Sequence, residues 1–525
     1  MDSDQASSGT SDEPNPDVMK ALPSHILELN TFEELVARVC FRDNVQQDTK
    51  FDFNFLTFYR FFASPLRLLN ALISVYEQAS SAKKSITTDG LPDRVLQFLS
   101  QWITIHPGDF ANDVTYQHLE EFLETFCQNS PFFPVAEQIR MASGKIDEDD
   151  DHVWSLPDAP SSTMGFSAER KGSQASTSAK SVSELDAKLI FQAHSTLTVE
   201  AMGPSNTNAP THVHTNSVDQ STISYHITTV AQRQSALLDP SSQLPFTKIQ
   251  WRQLMAQPDA AIAREMTRID WIMFSAIQPR DMIRHITVPA SKRGLFHELS
   301  NVTRWVEHFN HIAYWTTNLI LLRDKAKHRA IALEKLILVA RRLRELNNYN
   351  SLGAIIAGIQ GTAVHRLTAT REQVPTDVQK NLMKMELLMS TQKGHSAYRL
   401  AWENTNGARI PFLPLHRRDL VVAEQGNKTW VAVEGVEGGE EGKRINWNKF
   451  NILGGMLWDL YDAQSTPYPG LVANEGIKRL MLNSGIVKND DKLYDRSQAV
   501  EPSNANGTGG SARRRLAPWL TRYGL

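Results

Sequence analysis

The chain has 525 residues, of which 41% are hydrophobic and 22% are charged, so it holds enough apolar material for more than one folded domain. Its 55 basic and 58 acidic side chains give a net charge of −3, which argues against nucleic-acid binding because no excess of positive charge is present to hold a phosphate backbone. Both cysteines, Cys40 and Cys127, lie in apolar contexts, which favours reduced, packed thiols over disulfides or a thiolate metal site. These features predict a cytoplasmic location.

Direct insertion into a membrane is not expected. No stretch approaches the roughly 18 continuous apolar residues that a spanning helix needs. Residues 1–19 are polar and acidic, which predicts disorder, and the C-terminal sequence has no cysteine for prenylation. Any membrane contact is therefore expected to come through a partner.

Residues 20–142 predict a helical domain. Thr31 and Glu34 match the S/T-x-x-E capping box, in which each side chain accepts a backbone hydrogen bond at the start of a helix. Pro65 is placed to open a further helix, because proline fits the first helical position. The segment between these points is dense in aromatic and leucine side chains, which is typical of a buried core.

A change in composition separates this domain from the rest of the chain. Residues 143–244 begin with an acidic run and continue as a Ser- and Thr-rich stretch, which predicts a disordered linker. A small third domain around residues 185–198 is the alternative. Residues 245–487 return to helical periodicity, and residues 488–525 are predicted to be a disordered tail. The predicted fold class is all-α, with two helical domains joined by a long disordered linker.

The sequence does not support a metal site. His297 and Glu298 begin like the zinc motif H-E-x-x-H, but Asn301 stands where the second histidine is needed. His308 and His311 could share a helix face, yet no third ligand lies near them in the sequence. No metal is expected.

A nucleotide-binding loop is also excluded. Gly442 and Lys443 resemble the end of a P-loop, but Arg444 replaces the Ser or Thr that would hold magnesium. The surrounding segment, residues 434–444, is acidic where phosphates would bind and is predicted to be a solvated loop. No cofactor is expected, and no set of side chains for covalent chemistry remains.

Several segments of the second domain carry a recognisable pattern. They are AIAREMTRIDWIMFSAIQPRDMI at 261–283, RELNNYNSLGAIIAGIQGTAVHRL at 344–367, RIPFLPLHRRDLVVAEQGN at 409–427 and INWNKF at 445–450. Together they resemble the catalytic domain of Ras-family guanine-nucleotide exchange factors. FLTFYRFFASPLRLLNALI, RVLQFLSQWITIHPGDF and LEEFLETF in the first domain resemble the Ras exchanger motif domain that usually precedes it. The resemblance implies that the second domain is an orthogonal helical bundle with a protruding helical hairpin.

The resemblance also implies a partner and an activity. The partner would be a Ras-subfamily small GTPase, and the activity would be the release of its GDP by a hairpin inserted between the two switch loops. The hairpin would begin at residues 411–426. An exchange factor needs no covalent step, because it has only to bind the empty GTPase better than the loaded one. Recruitment to a membrane would come through the lipidated GTPase.

Four hairpin residues match the catalytic positions of the family. Phe412 would pack with the switch II surface or serve as an ordinary core aromatic. Val421 would displace the magnesium ion of the GTPase, and Gln425 stands where many members place a Glu that competes for P-loop donors. Glu424 is one residue earlier, about 100° around the helix, so it could replace that Glu only if the hairpin rotates.

The resemblance assigns two further sets of residues. The predicted GTPase-binding residues are Gln360, Arg366, His395, Tyr398, Arg417 and Arg418. The predicted hairpin supports are Asn347, Asn348, Asn350, Pro411 and Gly426. The three asparagines are interpreted as amides that brace helices, and His395 and Tyr398 could equally be core residues. Trp102 and Phe110 of the first domain are expected in its core, where they would help to brace the hairpin.

Some residues depart from the family pattern. Gln425 lacks the charge of the usual Glu, Asp281 replaces a Glu, and Gly353 stands where a larger apolar residue is common. A GTPase-binding scaffold with weak exchange activity is therefore the alternative function. The run of residues 410–429 looks closer to Rap-directed members than to others, but the sequence does not decide between Ras and Rap.

Overall fold

The computed structural model describes residues 28–41, 45–81, 91–126, 130–144, 227–296, 299–432 and 443–502. Several predictions concern residues outside these ranges. They are the predictions for residues 1–19, for the linker at 145–226, for Cys127, for His297 and Glu298, for most of the loop at 434–444 and for the tail after residue 502.

The described N-terminal unit is helical, as predicted. Its helices are α1 Phe32–Cys40, α2 Val45–Phe58, α3 Pro65–Ser81, α4 Leu91–Ile105, α5 Asp113–Glu124 and α6 Phe133–Ser143. The capping box forms at the start of α1: the Thr31 hydroxyl accepts from the Glu34 N–H at 3.1 Å, and the Glu34 carboxylate accepts from the Thr31 N–H at 2.7 Å. Pro65 occupies the first position of α3. Trp102 and Phe110 are fully buried with ring centroids 4.6 Å apart, so both lie in the core.

The second unit is also almost entirely helical. Its helices are α7 at residues 227–235, α8 Lys248–Met255, α9 Asp259–Ser275, α10 Pro279–Thr287, α11 Ala290–Arg293, α12 Leu299–Leu321, α13 Ala326–Glu345, α14 Tyr349–Gln360, α15 Thr362–His365, α16 Thr368–Arg371, α17 Thr376–Leu388, α18 Ser396–Glu403, α19 Leu413–Gly426, α20 Trp447–Gln464, α21 Glu475–Leu482 and α22 Asp490–Val500. The all-α prediction is confirmed. Within the described ranges, no helix combines the length and the apolar character needed to cross a membrane.

Short strands supplement the helices. They are β1 Leu29–Asn30, β2 Leu244–Pro245, β3 Trp430–Ala432, β4 Lys443–Asn446 and β5 Ser484–Gly485. β4 pairs antiparallel with β1 on one side and with β3 on the other, and β2 pairs parallel with β5. The prediction of a loop at 434–444 is therefore wrong at Lys443 and Arg444, which belong to β4.

The predictions of disorder are wrong at two places. Residues 227–235 form α7, and Leu238 just after it is buried, although both lie in the predicted linker. Residues 490–500 form α22, although they lie in the predicted tail. Both segments are polar in composition but are fixed by bonds to distant elements: the Gln232 side chain donates to the Ala276 carbonyl at 3.3 Å, and Arg366 donates to the Ser497 carbonyl at 2.9 Å. Composition alone does not reveal such bonds.

The two units meet at α20. Phe51 of α2 packs on Trp447 with ring centroids 4.9 Å apart, and Phe58 packs on Phe450 at 5.3 Å. The backbone N–H of Trp447 donates to the Glu28 carbonyl at 2.9 Å, next to the pairing of β1 with β4. The N-terminal unit thus holds α20 by both aromatic packing and backbone hydrogen bonds.

A buried ion pair adds a second joint. Asp109 lies in the 3₁₀ turn Pro107–Phe110 and is fully buried. Its carboxylate accepts from the Trp102 indole at 2.9 Å and from the Arg280 guanidinium of α10 at 2.9 Å, and the Tyr59 hydroxyl donates to it as well. Burial alone would raise the pKa of Asp109, but Arg280 and Arg60 outweigh it and hold that pKa well below its usual range. The carboxylate therefore stays charged and links the two units.

Gly454 tests the close approach of the two units. A Cβ at this position would lie 1.9 Å from the Asn54 side-chain oxygen, so Gly454→Ala must displace Asn54. We expect the free energy of unfolding to fall by about 1–3 kcal/mol, the usual result of overpacking. Gly455→Ala is the matched control, because nothing lies within 4 Å of its Cβ and alanine favours a helix by about 1 kcal/mol. Equal urea unfolding curves for the two variants would contradict the contact.

Asp109→Asn tests the buried ion pair. At pH 7 the variant leaves the Arg280 guanidinium buried without its counter-charge, which should lower the free energy of unfolding by about 3–5 kcal/mol. Because the folded-state pKa of Asp109 is depressed, the unfolded chain takes up this proton first as the pH falls. The stabilisation that Asp109 gives the wild-type protein is thus complete above pH 3.8, the ordinary pKa of an Asp side chain, and declines as the pH drops below that value. Urea unfolding at several pH values should show a shallower acid dependence for the variant, and an unchanged dependence would refute this account.

Candidate functional site

The start of the predicted hairpin is fixed by backbone hydrogen bonds. The Ile410 N–H donates to the Asn347 carbonyl at 3.0 Å, and the Tyr349 N–H donates to the Ile410 carbonyl at 3.1 Å. Asn347 adopts a left-handed conformation with φ of 54°, which an asparagine tolerates better than most residues. The turn between α13 and α14 therefore holds the chain immediately before Pro411.

A buried carboxyl group stabilises that turn. Asp270 of α9 is fully buried and accepts from Asn348 at 2.9 Å, from Asn350 at 2.8 Å and from the Trp305 indole at 3.1 Å, with the Ser351 hydroxyl as a further donor. Asn348 also caps α14, because its side-chain oxygen accepts from the Ser351 N–H at 3.1 Å. Asn348 and Asn350 thus occupy bracing positions and lie away from solvent, whereas Asn347 is partly exposed.

Phe412 is a core residue in this structure. It is fully buried, and its ring centroid lies 6.0 Å from those of Phe309 and Tyr398. A Cβ at Gly353 would come within 2.6 Å of the Phe412 ring, so glycine at this departure from the family pattern makes room for the aromatic side chain. Burial rules out direct contact of Phe412 with a partner in this conformation and favours the core alternative.

His395 and Tyr398 are also buried, so the prediction that they contact a GTPase is wrong for this conformation. The Tyr398 hydroxyl accepts from the Phe412 N–H at 3.0 Å and lies 2.7 Å from His416 Nε2. Burial lowers the pKa of His416 to about 4, so its imidazole is neutral and can accept a hydrogen bond from the Tyr398 hydroxyl. His395 lies against the Phe412 ring, with centroids 6.1 Å apart. These side chains hold the first turn of α19, which the sequence could not distinguish from a surface role.

The predicted role of Arg366 in binding a GTPase is likewise not supported. Its guanidinium donates to the carbonyls of Ser497 and Glu501, each at 2.9 Å, and to the Gln498 side chain at 3.1 Å. Arg366 therefore anchors α22 to the body of the domain. The sequence does not reveal this contact, because the polar composition of residues 488–525 predicts a disordered tail. Gln360, at the end of α14, is partly exposed.

The adjacent arginines of α19 have different environments. Arg417 is 5% exposed and lies on the buried face with Leu413 and Leu420, where burial, and then the nearby Arg293, lowers its pKa. It cannot be the surface contact that was predicted. Arg418 is about one-third exposed and lies 3.2 Å from the Asp419 carboxylate. Helical periodicity separates the two positions by about 100°, which explains the difference.

The C-terminal half of α19 presents an exposed face. Arg418, Val421, Val422 and Gln425 follow the i, i+3, i+4 and i+7 spacing of one helix face. Val422 is 50% exposed, Gln425 is exposed and Val421 is partly exposed. Gly426 ends the helix and is exposed as well, whereas Pro411, two residues before the helix begins, is buried. We call Arg418, Val421, Val422 and Gln425 the α19 outer face.

Glu424 does not belong to the α19 outer face. Its carboxylate accepts from Lys449 Nζ at 3.1 Å, and the same ammonium donates to the Thr429 hydroxyl at 3.1 Å. Lys449 belongs to α20 and is 3% exposed, so this ion pair joins the two hairpin helices. Glu424 is therefore already engaged inside the hairpin and cannot substitute for a charge at position 425.

Comparison with known proteins agrees with this architecture. Residues 261–451 match the RasGEF domain model, and residues 27–124 match the RasGEF N-terminal motif. The chain therefore carries a RasGEF domain preceded by a RasGEF N-terminal motif. It is 28% identical over 277 residues to Ras guanine nucleotide exchange factor J of Dictyostelium discoideum, a match that covers 52% of this chain and 32% of that protein.

Human relatives also match the chain. Rap guanine nucleotide exchange factor 5 is 25% identical over 243 residues, covering 46% of this chain and 40% of that protein. Rap guanine nucleotide exchange factor 3 is 32% identical over 170 residues, covering 32% of this chain and 18% of that protein. The chain thus matches well under half the length of each of these relatives.

Sequence reasoning missed several residues that position the site of this RasGEF domain. Asp270 lies in the 261–283 segment and Lys449 in INWNKF, but the family resemblance assigns a role to neither residue. A charged residue inside an apolar helical run is the signal that could have revealed Asp270, because a buried charge needs partners. Trp430, 42% exposed on β3 near the tip of the hairpin, carried no comparable signal.

Asp270→Asn should destabilise the RasGEF domain. Asparagine replaces one carboxyl oxygen of Asp270 with an NH₂ group, which then faces side chains that are themselves donors. Buried groups lose their hydrogen-bond partners, at a cost of about 2–4 kcal/mol. Asp495→Asn, at an exposed position of α22, is the control and should change the free energy of unfolding by less than about 0.5 kcal/mol. Thermal and urea unfolding measure both effects. Equal stability of the two variants would contradict the bracing role of Asp270.

Proposed function

We propose that this protein is a guanine-nucleotide exchange factor that promotes GDP release from a Ras-subfamily GTPase. The observation that carries the proposal is the α19 outer face, exposed on an anchored hairpin inside a RasGEF domain. The RasGEF N-terminal motif in the expected order gives further support. Relatives named as Ras and as Rap exchange factors match the chain, so both GTPase types are candidates.

The proposed mechanism is mechanical and non-covalent. α19 enters between the switch loops of the GTPase, and Val421 occupies the space of the magnesium ion. The GTPase then cannot bind the exchange factor and the nucleotide together with full affinity. By linkage, the exchange factor lowers the affinity for nucleotide by the same factor by which nucleotide lowers the affinity for the exchange factor. A rigid hairpin favours this action, because little binding free energy is lost in ordering it. The proposed place of action is the cytoplasm, at membranes that carry the lipidated GTPase.

A GTPase-binding scaffold with weak exchange activity is the second candidate. Gln425 lacks the charge that many family members place before this glycine, and Glu424 is held by Lys449. Opposite charges about 4 Å apart in a partly screened site interact by up to about 4 kcal/mol, so the missing carboxylate matters. This observation favours low activity without excluding tight binding.

The test is release of labelled GDP from purified Ras and Rap proteins. We expect the full chain to accelerate release from at least one of them by roughly tenfold or more, which corresponds to about 1.4 kcal/mol of barrier. Val421→Ala should reduce the acceleration, and Gln425→Glu should increase it by up to roughly tenfold, because the added carboxylate competes for phosphate-binding donors. Phe412→Ala is unsuitable as a control, since it empties a core position.

Gln373→Glu provides a matched control for charge, because Gln373 is exposed on the turn after α16. It should leave the exchange rate unchanged. A stable complex that retains GDP would favour the scaffold. Absence of both binding and release with every Ras and Rap protein would overturn the proposal.

A further inference from the structure

A basic surface is formed by α8 and the start of α13, which are not part of the hairpin. Lys248 and Arg252 of α8 are exposed, as are Lys325, just before α13, and Lys327 in its first turn. Arg323 lies beneath them and is 9% exposed. We call these five residues the α8/α13 basic surface.

Contacts with two rings hold Arg323 in place. Trp251 of α8 packs under the Arg323 guanidinium, 4.7 Å from its carbon to the ring centroid, and lies 6.4 Å from the His328 ring. Arg323 Nη2 donates to His328 Nδ1 at 3.2 Å, which requires a neutral imidazole. Burial lowers the pKa of His328, and Arg323, Lys327, Lys325 and Arg252 lower it further. Cations from both elements thus converge on this imidazole.

Little negative charge offsets the α8/α13 basic surface. Among the described residues, the carboxylate found within ion-pair distance of it is that of Asp324, 3.6 Å from Lys248, and Arg496 shares it at 2.7 Å. The buried Nη1 of Arg323 has no hydrogen-bond partner among the described residues. A guanidinium held away from water with one nitrogen unpaired is unfavourable, and an anion nearby would stabilise it.

Exposed aliphatic side chains lie among these cations. Ile249, 62% exposed, stands between Lys248 and Arg252 in the sequence of α8, and Ile331, 47% exposed, lies one turn after Lys327 on α13. Lysines and arginines with exposed branched aliphatic neighbours are typical of surfaces that meet the headgroup region of a bilayer. Nucleic acids and acidic peptides would use the positive charge but would leave the isoleucines in water.

We propose that the α8/α13 basic surface binds anionic lipid headgroups at a membrane, with Ile249 and Ile331 entering the interface between headgroups and acyl chains. The protein then contacts the bilayer directly, in contrast to the expectation that membrane contact would come only through a partner. The proposal does not depend on exchange activity.

Cosedimentation of the full chain with vesicles tests the proposal. We expect binding to phosphatidylcholine vesicles containing about 30% phosphatidylserine, no binding to pure phosphatidylcholine vesicles, and weaker binding as salt is raised. Arg252→Glu combined with Lys327→Glu should lower the partition coefficient by at least roughly tenfold, because each cation near the surface contributes several-fold. Ile249→Asp should lower it several-fold. Melting temperatures verify that each variant is folded.

A matched pair of charge reversals serves as the control. Lys380→Glu with Lys384→Glu, both at exposed positions of α17, changes the net charge equally and should alter vesicle binding less than about twofold. Equal binding to neutral and anionic vesicles, or an equal loss in the control pair, would overturn the proposal. Loss of vesicle binding when inorganic phosphate is added at constant ionic strength would also overturn the proposal, because it would indicate a free-phosphate site. Binding to polyglutamate but not to vesicles would also overturn it and would indicate an acidic protein partner.

Discussion

The Asp270 carboxyl group lies away from water and accepts hydrogen bonds from side chains of two other helices. Isolating such a group in an apolar interior costs several kcal/mol, so it remains only where donors surround it. Here the donors belong to α12 and to the start of α14, and the turn they fix is the one that binds the backbone of Ile410. The position of the hairpin therefore depends on a polar contact deep inside the domain.

The hairpin is held from opposite sides. The first turn of α19 is fixed by the buried Phe412 and Tyr398, and its last turn is joined to α20 by Glu424 and Lys449. α20 in turn packs on the aromatic side chains of α2. The α19 outer face remains exposed beside these contacts. Rigid support of this kind reduces the entropy that is lost when a partner binds.

Local patterns predicted the local structure well. The Thr31 capping box, Pro65 at a helix start and the cap that Asn348 provides for α14 each depend on contacts within a few residues, which a sequence displays directly. The RasGEF resemblance placed the hairpin at α19 and α20. It could not decide which face of α19 points outward, because that depends on how the whole bundle packs.

The failures share a physical cause. Arg366 bonds to residues more than 130 positions later, Glu424 bonds to Lys449 across the hairpin, and Arg417 turns toward α10, where its Nε lies 3.5 Å from His285 Nδ1. Each is a polar side chain that looks suited to an external partner until the tertiary fold supplies an internal one. Polar residues at a family's contact positions are therefore weaker indicators of a binding surface than the exposed face that remains after packing.

Strand β1 covers one edge of β4 from more than 400 residues earlier in the chain. A sheet edge without a neighbour exposes a row of backbone donors and acceptors that readily accept a strand from another molecule. A protein cut after Asn30 would uncover this edge of β4, which lies between α19 and α20 in the chain. Pairing with β1 satisfies these backbone groups within the chain, a role separate from the packing of the helices that follow.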